Sequence, residues 1–244
     1  MNNNIKKEVI LENLEKNNSK YASDFDYLMH DFIIETIKPY FIKDNILELG
    51  AYKGEMTKKL LCNFKYVSSI EIIPELCVYL RNLKFENLQI FQTDFFEFNN
   101  YNDYDNIISC HSLEHVEKHK DLLKKIKKSK KDTCRLFIIV PNAFSLSRQI
   151  AVNMGLVSHP ESITDFEKTI GHYHTFSINK LSIDIKNSGF KILDKGGIMP
   201  KIFSNSQYDR CIKNDIINTE FLRASYQLSK NYPELCSSIY FICE

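Results

Sequence analysis

The sequence predicts an α/β fold: a doubly wound, mostly parallel sheet of seven strands, with an N-terminal helix and an insertion after the fifth strand. Short apolar runs alternate with amphipathic segments, which is the pattern of strands joined by crossover helices. Glycine is scarce, with seven in 244 residues, and only Gly50 and Gly54 fall within the first 154. One special turn therefore interrupts an otherwise regular chain.

Local patterns define the individual elements. Apolar residues at helical spacing predict a helix over 25–41, which Pro39 ends or kinks. The predicted strands are 46–49, 66–72, 88–93, 104–110, 134–140, 190–194 and an antiparallel 238–243. The predicted helices after the first strand are 55–62, 74–83, 118–128 and 178–188. A turn is expected at Gly196 and Gly197.

The same alternation indicates one large domain. We assign 1–24 to an N-terminal extension and 25–244 to the domain. The alternation pauses over 141–176, which we interpret as a lid or acceptor-binding insertion. A chain of 28.6 kDa can bury about 73% of its extended surface, so a single core suffices.

Composition narrows the function classes. A net charge of +1 gives no global field for a polyanion, so we expect no nucleic-acid partner. The longest apolar run has five residues, 136–140, and the N-terminus lacks a secretion signal. We therefore expect no membrane span and a cytoplasmic protein. Seven cysteines without a C-x-x-C pair indicate reduced thiols rather than disulfides or a zinc site.

The strongest local signal is ILELGAYKGEMTKKL, where a strand ends at Gly50 and a helix opens after Gly54. In doubly wound sheets, ligands bind at the carboxyl ends of the strands, and glycine permits close backbone approach. Glu71 ends the second strand, where an acid can accept hydrogen bonds from ribose hydroxyls. The structural alternative is a helix cap and a surface acid.

A dinucleotide site requires G-x-G-x-x-G, and Tyr52 stands where the second glycine would be. The turn instead resembles motif I of the class I S-adenosylmethionine-dependent methyltransferases, with its middle glycine replaced. Thr93-Asp94-Phe95 resembles the adenine contact of that family, and 112–116 resembles the L-E-H segment of its ubiquinone-biosynthesis-like, type 23-like subgroup. Segments from Pro141 onward resemble a branch found in polysaccharide biosynthesis, so the resemblance covers roughly 25–243.

This resemblance implies S-adenosylmethionine as cofactor and S-adenosylhomocysteine as product. The methionine end would lie against Glu48 and the glycine turn, the ribose against Glu71, and the adenine against Asp94 and Phe95. The implied cofactor-binding residues are Glu48, Gly50, Ala51, Gly54, Glu71, Ile72, Asp94, Phe95, Cys110 and His111.

Three histidines are candidates for catalysis: His111, His115 and His172. A histidine with a pKa near its ordinary value of about 6.5 is a suitable base for a hydroxyl acceptor. A purely structural hydrogen bond is the alternative for His115 and His172. We expect the acceptor to contact Asn142, His30 and Lys201.

The H-x-x-E-H arrangement of His111, Glu114 and His115 bears on metal binding. In some relatives an E-x-x-E-H cluster binds a divalent cation, but histidine at the first position disfavours Mg²⁺. We therefore expect no metal. Zn²⁺ or Mn²⁺ on these residues and a distant histidine is the alternative.

The sequence thus predicts an enzyme that methylates oxygen on a small polar acceptor. By resemblance, that acceptor is a sugar, a sugar nucleotide or a precursor of a surface polysaccharide. The alternatives are an NAD-dependent oxidoreductase and a catalytically silent binding protein. The lysine run 118–131 is interpreted as a solvated helix face. A homo-oligomer is compatible with the sequence, which does not identify the oligomeric state.

Overall fold

A computed structural model describes residues 24–244, and its seven strands form one sheet in the order β3-β2-β1-β4-β5-β7-β6. The strands are β1 (Asn45–Leu49), β2 (Tyr66–Glu71), β3 (Leu88–Gln92), β4 (Asn106–Cys110), β5 (Arg135–Pro141), β6 (Ile192–Pro200) and β7 (Cys236–Cys243). The helices are α1 (Asp24–Ile37), α2 (Glu55–Leu61), α3 (Pro74–Asn82), α4 (His119–Ser129), α5 (Leu146–Asn153), α6 (Asp165–Thr169), α7 (Ile178–Asn187), α8 (Asn205–Lys213) and α9 (Thr219–Gln227). The extension assigned to 1–24 lies, except for its last residue, outside the described residues.

The sheet confirms the predicted fold class. Strands β1 to β5 pair in parallel, whereas β7 runs antiparallel to both β5 and β6. The strand order reverses between β1 and β4, which lie side by side. In such sheets the reversal opens a crevice at the carboxyl ends of the strands, where ligands bind.

Apolar side chains cover both faces of the central strands. In β4, Ile107 packs into the cluster on one face and Ile108 into the cluster on the other, and neither is exposed. Helix α4 buries Leu122, Leu123 and Ile126 against the first of these clusters. Most of its lysines point away from that face, as predicted for an amphipathic helix.

The turn expected at Gly196 and Gly197 is wrong, because β6 runs through both residues. A Cβ on Gly197 would lie 2.3 Å from the carbonyl oxygen of Pro233, and one on Gly196 would lie 2.8 Å from the Tyr240 ring. Glycine is needed here for close packing inside a strand, not for a reversal of the chain.

Four helices were not predicted from the sequence. Ser204 and Asn218 are the N-cap residues of α8 and α9, and their side chains accept hydrogen bonds from backbone N–H groups of the first turn. Helices α5 and α6 lie within 141–176, and a capping box between Thr164 and Glu167 opens α6. The assignment of this segment to a lid or acceptor-binding element stays a prediction.

Two further sequence expectations concern cysteines and membranes. All seven cysteines are free thiols, as expected. Within residues 24–244, no helix has the length and apolar character that crossing a bilayer requires.

Candidate active site

The turn after β1 contains three residues with left-handed backbone. Gly50 has a φ of +84°, Tyr52 of +48° and Gly54 of +80°. Tyr52 therefore occupies the position of the missing middle glycine in the backbone conformation that favours glycine. The loss of that glycine changes the side chain without changing the shape of the turn.

Gly50 lies where three strand ends meet. Its N–H donates to the carbonyl of Ile70 at 2.9 Å. A Cβ on Gly50 would lie 3.1 Å from the Cβ of Ser112 and 3.7 Å from the ring of Phe95. The structure thus brings together residues that follow β1, β3 and β4, as the predicted cofactor site requires.

Backbone donors fix the carboxylate of Glu71. One oxygen accepts from the N–H of Tyr52 at 3.0 Å, and the other accepts from Ile72 at 2.8 Å and Ile73 at 3.0 Å. Burial raises the pKa of Glu71, and these three donors oppose that rise. Of the roughly four acceptor sites of a carboxylate, three are used, so the oxygen that accepts from Tyr52 retains capacity for the ribose.

Glu48 is more deeply enclosed. One of its oxygens accepts from the hydroxyls of Thr57 at 2.6 Å and Ser69 at 2.7 Å. Burial raises its pKa to about 7. Only its second oxygen is left for the contact with the methionine end that the resemblance implies.

The loop after β3 holds Asp94 and Phe95 in place. One Asp94 oxygen accepts from the N–H of Phe96 at 2.7 Å, and the carbonyl of Phe95 accepts from the Tyr101 hydroxyl at 2.8 Å. Tyr101 is fully buried, so the loop is tied to the core. The second Asp94 oxygen and the Phe95 ring remain as the polar and apolar parts of the predicted adenine contact.

These residues fit S-adenosylmethionine. The cofactor has an ammonium, a sulfonium, a ribose diol and an adenine amine, all of which carry positive charge or donate hydrogen bonds. The ends of β1 and β2 and the loop after β3 hold three carboxylates, Glu48, Glu71 and Asp94, and Gly50 follows β1 with the Phe95 ring nearby. Ala51 and Ile72, the remaining predicted contacts, flank this group within the turns after β1 and β2.

The end of β4 supplies Cys110 and His111. Burial raises the pKa of the Cys110 thiol well above its ordinary value, with smaller contributions from Glu48 and Glu114. His111 has a φ of +51°; its Nε2 lies 3.3 Å from Ser238 Oγ, and its Nδ1 lies 3.7 Å from Glu114 Oε1. Cys110 and His111 therefore lie between the predicted cofactor residues and Glu114.

His115 and His172 meet although 56 residues separate them in the chain. Their ring centroids are 4.6 Å apart, at an interplanar angle of 88°. Burial lowers the pKa of His115 to about 3 and also lowers that of His172. Burial therefore keeps both rings neutral at pH 7, and a role as base for either histidine stays a prediction.

The residues predicted to contact the acceptor lie in three different places. His30 of α1 lies close enough to lower the pKa of His111, and its own pKa falls to about 4 through burial. The Asn142 side chain is buried and donates to the carbonyls of Glu234 and Cys236. Lys201 is buried beneath α1, against the ring of Phe25. His30 is thus brought to His111, and Asn142 lines a small cavity together with His172.

Lys201 hydrogen-bonds with the Phe203 carbonyl and with Asn205, and its ammonium lies over the rings of Phe25 and Tyr208. Burial lowers its pKa to about 8. These contacts anchor α1 against the strand end, and none of the described contacts of Lys201 reaches a histidine.

Solved structures share this fold. The S-adenosylmethionine-dependent methyltransferase of Clostridium acetobutylicum is 14% identical, covering 100% of this chain and 99% of its own, with a TM-score of 0.56. The N-methyltransferase NodS of Bradyrhizobium japonicum in complex with S-adenosylhomocysteine is 11% identical, covering 98% and 97%, with a TM-score of 0.59. At these identities the likeness establishes the fold.

Two curated relatives carry an RNA activity in their names. The rRNA adenine N-6-methyltransferase of Limosilactobacillus reuteri is 33% identical over 89 residues, which are 35% of this chain and 36% of that protein. The enzyme of the same name from Lysinibacillus sphaericus is 42% identical over 66 residues, 25% of this chain and 27% of that protein. The chain thus matches about a third of their length or less.

These relatives contradict the expected partners. The net charge of +1 predicts no nucleic-acid partner, and that prediction is wrong, since both relatives are named as enzymes of ribosomal RNA. The physical reason is that net charge reports a sum and not a distribution. Helix α4 alone has five lysines and one aspartate.

The family model of the ribosomal RNA adenine dimethylases matches residues 14–158, more than half of the chain. This stretch contains the turn after β1, Glu71, Asp94 and His115. The chain therefore belongs to the ribosomal RNA adenine dimethylase family.

Proposed function

We propose that this enzyme transfers the methyl group of S-adenosylmethionine to the N6 amine of an adenine in RNA. The family match over 14–158 carries this proposal, because it includes both the predicted cofactor residues and the segment from Cys110 to His115. The names of the two curated relatives support the same acceptor. Neither the NAD-dependent oxidoreductase nor the silent binding protein has comparable support.

The histidine group suits an amine acceptor. The cofactor supplies a methyl carbon activated by its positive sulfur. An exocyclic amine is a weak nucleophile that must lose a proton, so alignment and a hydrogen-bond acceptor for its N–H both assist the transfer. His115 and His172 are neutral at pH 7, and a neutral ring has one nitrogen that accepts. We assign to these two rings the task of orienting the amine.

Local positive charge supports an RNA partner. Lys124 and Lys128 are exposed one turn apart on α4, and Lys53 is exposed in the turn after β1. Exposed lysines attract phosphates even where the net charge of the chain is close to zero. A salt-dependent affinity for RNA is therefore part of this proposal.

The test is methylation of a transcript of ribosomal RNA that carries no modification. The enzyme is incubated with this RNA and methyl-labelled S-adenosylmethionine, and the nucleosides are then separated by liquid chromatography and mass spectrometry. We expect label in N6-methyl- or N6-dimethyladenosine, and less label with the Glu71→Ala variant when the cofactor concentration is limiting. Turnover on other acceptors with no label in adenosine would overturn the proposal.

A second candidate is O-methylation of a small polar acceptor such as a sugar. The contact between the insertion 141–176 and the segment that carries Glu114 and His115 favours this candidate. The N–H of Tyr173 donates to the carbonyl of Glu114 at 2.9 Å, so the insertion 141–176 is tied to the strand end. An acceptor bound beneath the insertion 141–176 would be small. The segments after Pro141 also resemble enzymes of polysaccharide biosynthesis. Label in sugar nucleotides and none in RNA would establish this candidate over the first.

A further inference from the structure

A cluster of metal-ligating side chains lies beside the end of β4. One ligand atom from each of Glu114, His115 and His172 lies within 4.8 Å of the others. We propose that these three residues bind one divalent transition-metal cation, with Zn²⁺ and Mn²⁺ as the best matches to the ligands. The cation would lie next to His111.

The carboxylate of Glu114 is the first argument. The residue is 2% exposed, and its Oε2 is buried without a hydrogen-bond partner. Across residues 24–244, no lysine or arginine forms an ion pair with Glu114; the nearest basic group in an ion-pair contact is the His111 ring, 3.7 Å away. A buried, unsatisfied carboxyl oxygen is costly, and a bound cation removes that cost.

The support of the ligands is the second argument. The Tyr173 N–H donates to the Glu114 carbonyl at 2.9 Å, and the His172 N–H donates to the Glu167 carbonyl at 2.9 Å. The His115 ring hydrogen-bonds to the backbone of Ile170 and Gly171. A ring nitrogen engaged with backbone fixes the tautomer and orients the other nitrogen, which is the usual arrangement of a metal-binding histidine. The two chain segments are therefore fixed to each other around the cluster.

Ligand chemistry selects the metal. Mg²⁺ and Ca²⁺ prefer sets of oxygen ligands, whereas the two imidazoles suit zinc and the Glu114 carboxylate also suits manganese. Two imidazoles and one carboxylate also form the three-ligand set of many catalytic zinc sites, in which a further position stays open. That open position would take an oxygen or nitrogen of the acceptor, an assignment that rests on the proposed function. The proposal that a metal binds does not depend on the proposed function.

The insertion 141–176 gains a role from this site. His172 is the only ligand of the three that the insertion contributes, so a cation would fasten this segment to the end of β4. Two contacts already stabilise the segment on its other side: the Arg148–Glu167 ion pair, at 2.7 Å, and the hydrogen bond that the His172 N–H donates to the Glu167 carbonyl. The metal would thus stabilise the position of the insertion 141–176 as well as that of the bound acceptor.

The test is a titration of the full chain with metal alone, without cofactor or RNA. The protein is stripped with EDTA and dialysed, and ZnCl₂, MnCl₂ and MgCl₂ are titrated by calorimetry. CoCl₂ is added in parallel, because its visible absorption reports nitrogen and oxygen ligation. We expect one equivalent of Zn²⁺ or Mn²⁺ per chain, weaker Mg²⁺ binding and a rise in the melting temperature.

Variants assign the ligands. Glu114→Gln, His115→Asn and His172→Asn should each weaken binding at least about tenfold, a loss expected even for residues that only support a ligand. His159→Asn is the matched control, because His159 is an exposed histidine of the same insertion. If Glu114→Gln and His115→Asn fail to fold, His172→Asn alone still tests the site. No stoichiometric binding by the wild type, or unchanged affinity in all folded variants, would overturn the site whatever acceptor the enzyme uses.

Discussion

Two parts of the active site are built in different ways. The cofactor half comprises the turns after β1, β2 and β3, and its acids are held by hydrogen bonds from backbone N–H groups and small hydroxyls. The acceptor half comprises 110–116 and the insertion 141–176, and its centre is the side-chain cluster of Glu114, His115 and His172. This difference indicates that cofactor affinity depends on backbone shape and that transfer depends on buried side chains. The two properties should therefore separate by mutation.

The largest expected effect is in the acceptor half. We expect His115→Asn and His172→Asn to lower turnover by about 10², because each removes a ring that positions the acceptor, either directly or through a bound cation. Cofactor affinity should change little, since neither ring belongs to the turns after β1 to β3. Steady-state rates and cofactor dissociation constants, measured on the same preparations, check this. A comparable loss of cofactor affinity in these variants would show that the two halves do not act separately.

In the cofactor half, Glu71→Ala should weaken S-adenosylmethionine and S-adenosylhomocysteine binding by about tenfold or more. Each lost charge-assisted hydrogen bond contributes about 1.5 to 3 kcal/mol. The variant also removes the acceptor for three backbone N–H groups, so the turn itself loosens. Equilibrium dialysis gives the affinities, and the exposed Glu97→Gln serves as the control. Equal affinity in both variants would remove Glu71 from the site.

Gly50→Ala should lower both stability and cofactor affinity. An L-residue at this left-handed φ costs about 1 to 2 kcal/mol, and its Cβ would press on Ser112 at 3.1 Å. Gly155 has a similar φ of +73° with no atom within 4 Å, so Gly155→Ala carries the backbone cost without the crowding. Urea unfolding of both variants should show a larger loss for Gly50→Ala. An equal loss would show that the turn tolerates a side chain.

The smallest effect is a change in pH dependence outside both halves. The pKa of Lys201 is about 8 in the folded protein and about 10.4 when unfolded, so the unfolded chain binds more protons between these values. Stability should therefore rise with pH across this window, by up to about 1.4 kcal/mol per pH unit from this group. Lys201→Met should lose that contribution, which denaturation at pH 8 and pH 10 measures. A raised KM for the acceptor in this variant would instead place Lys201 in the acceptor half.

The sequence predicted the strands and the turn that form the cofactor half because their signals are local, whereas the contacts of this half with the cofactor stay a prediction. The strand before Gly50, the glycine pair and the acid at the end of β2 occur within short windows whose meaning depends on backbone geometry. The left-handed φ of Tyr52 shows why the motif survives without its middle glycine. The parallel sheet followed from the same local alternation.

The acceptor half could not be predicted as fully, because distant segments assemble it. No pattern in the sequence pairs His172 with Glu114, since the pairing depends on how the insertion folds back through α5 and α6. The lowered pKa of His115 has the same origin: burial by a segment 56 residues away removes water from the ring. Gly196 and Gly197 were misread for a related reason, because close packing against β7 and Pro233 is invisible in a local window.

The most direct test of this account is a crystal structure of the protein with S-adenosylhomocysteine. We predict both ribose hydroxyls within about 3 Å of the Glu71 carboxylate, the adenine beside Asp94 and Phe95, and the sulfur facing Cys110 and His111. The His115 and His172 rings should lie beyond the sulfur, on the acceptor side. Density for the ligand away from the carboxyl ends of β1 to β4, or an adenine beside His172, would contradict the division into two halves.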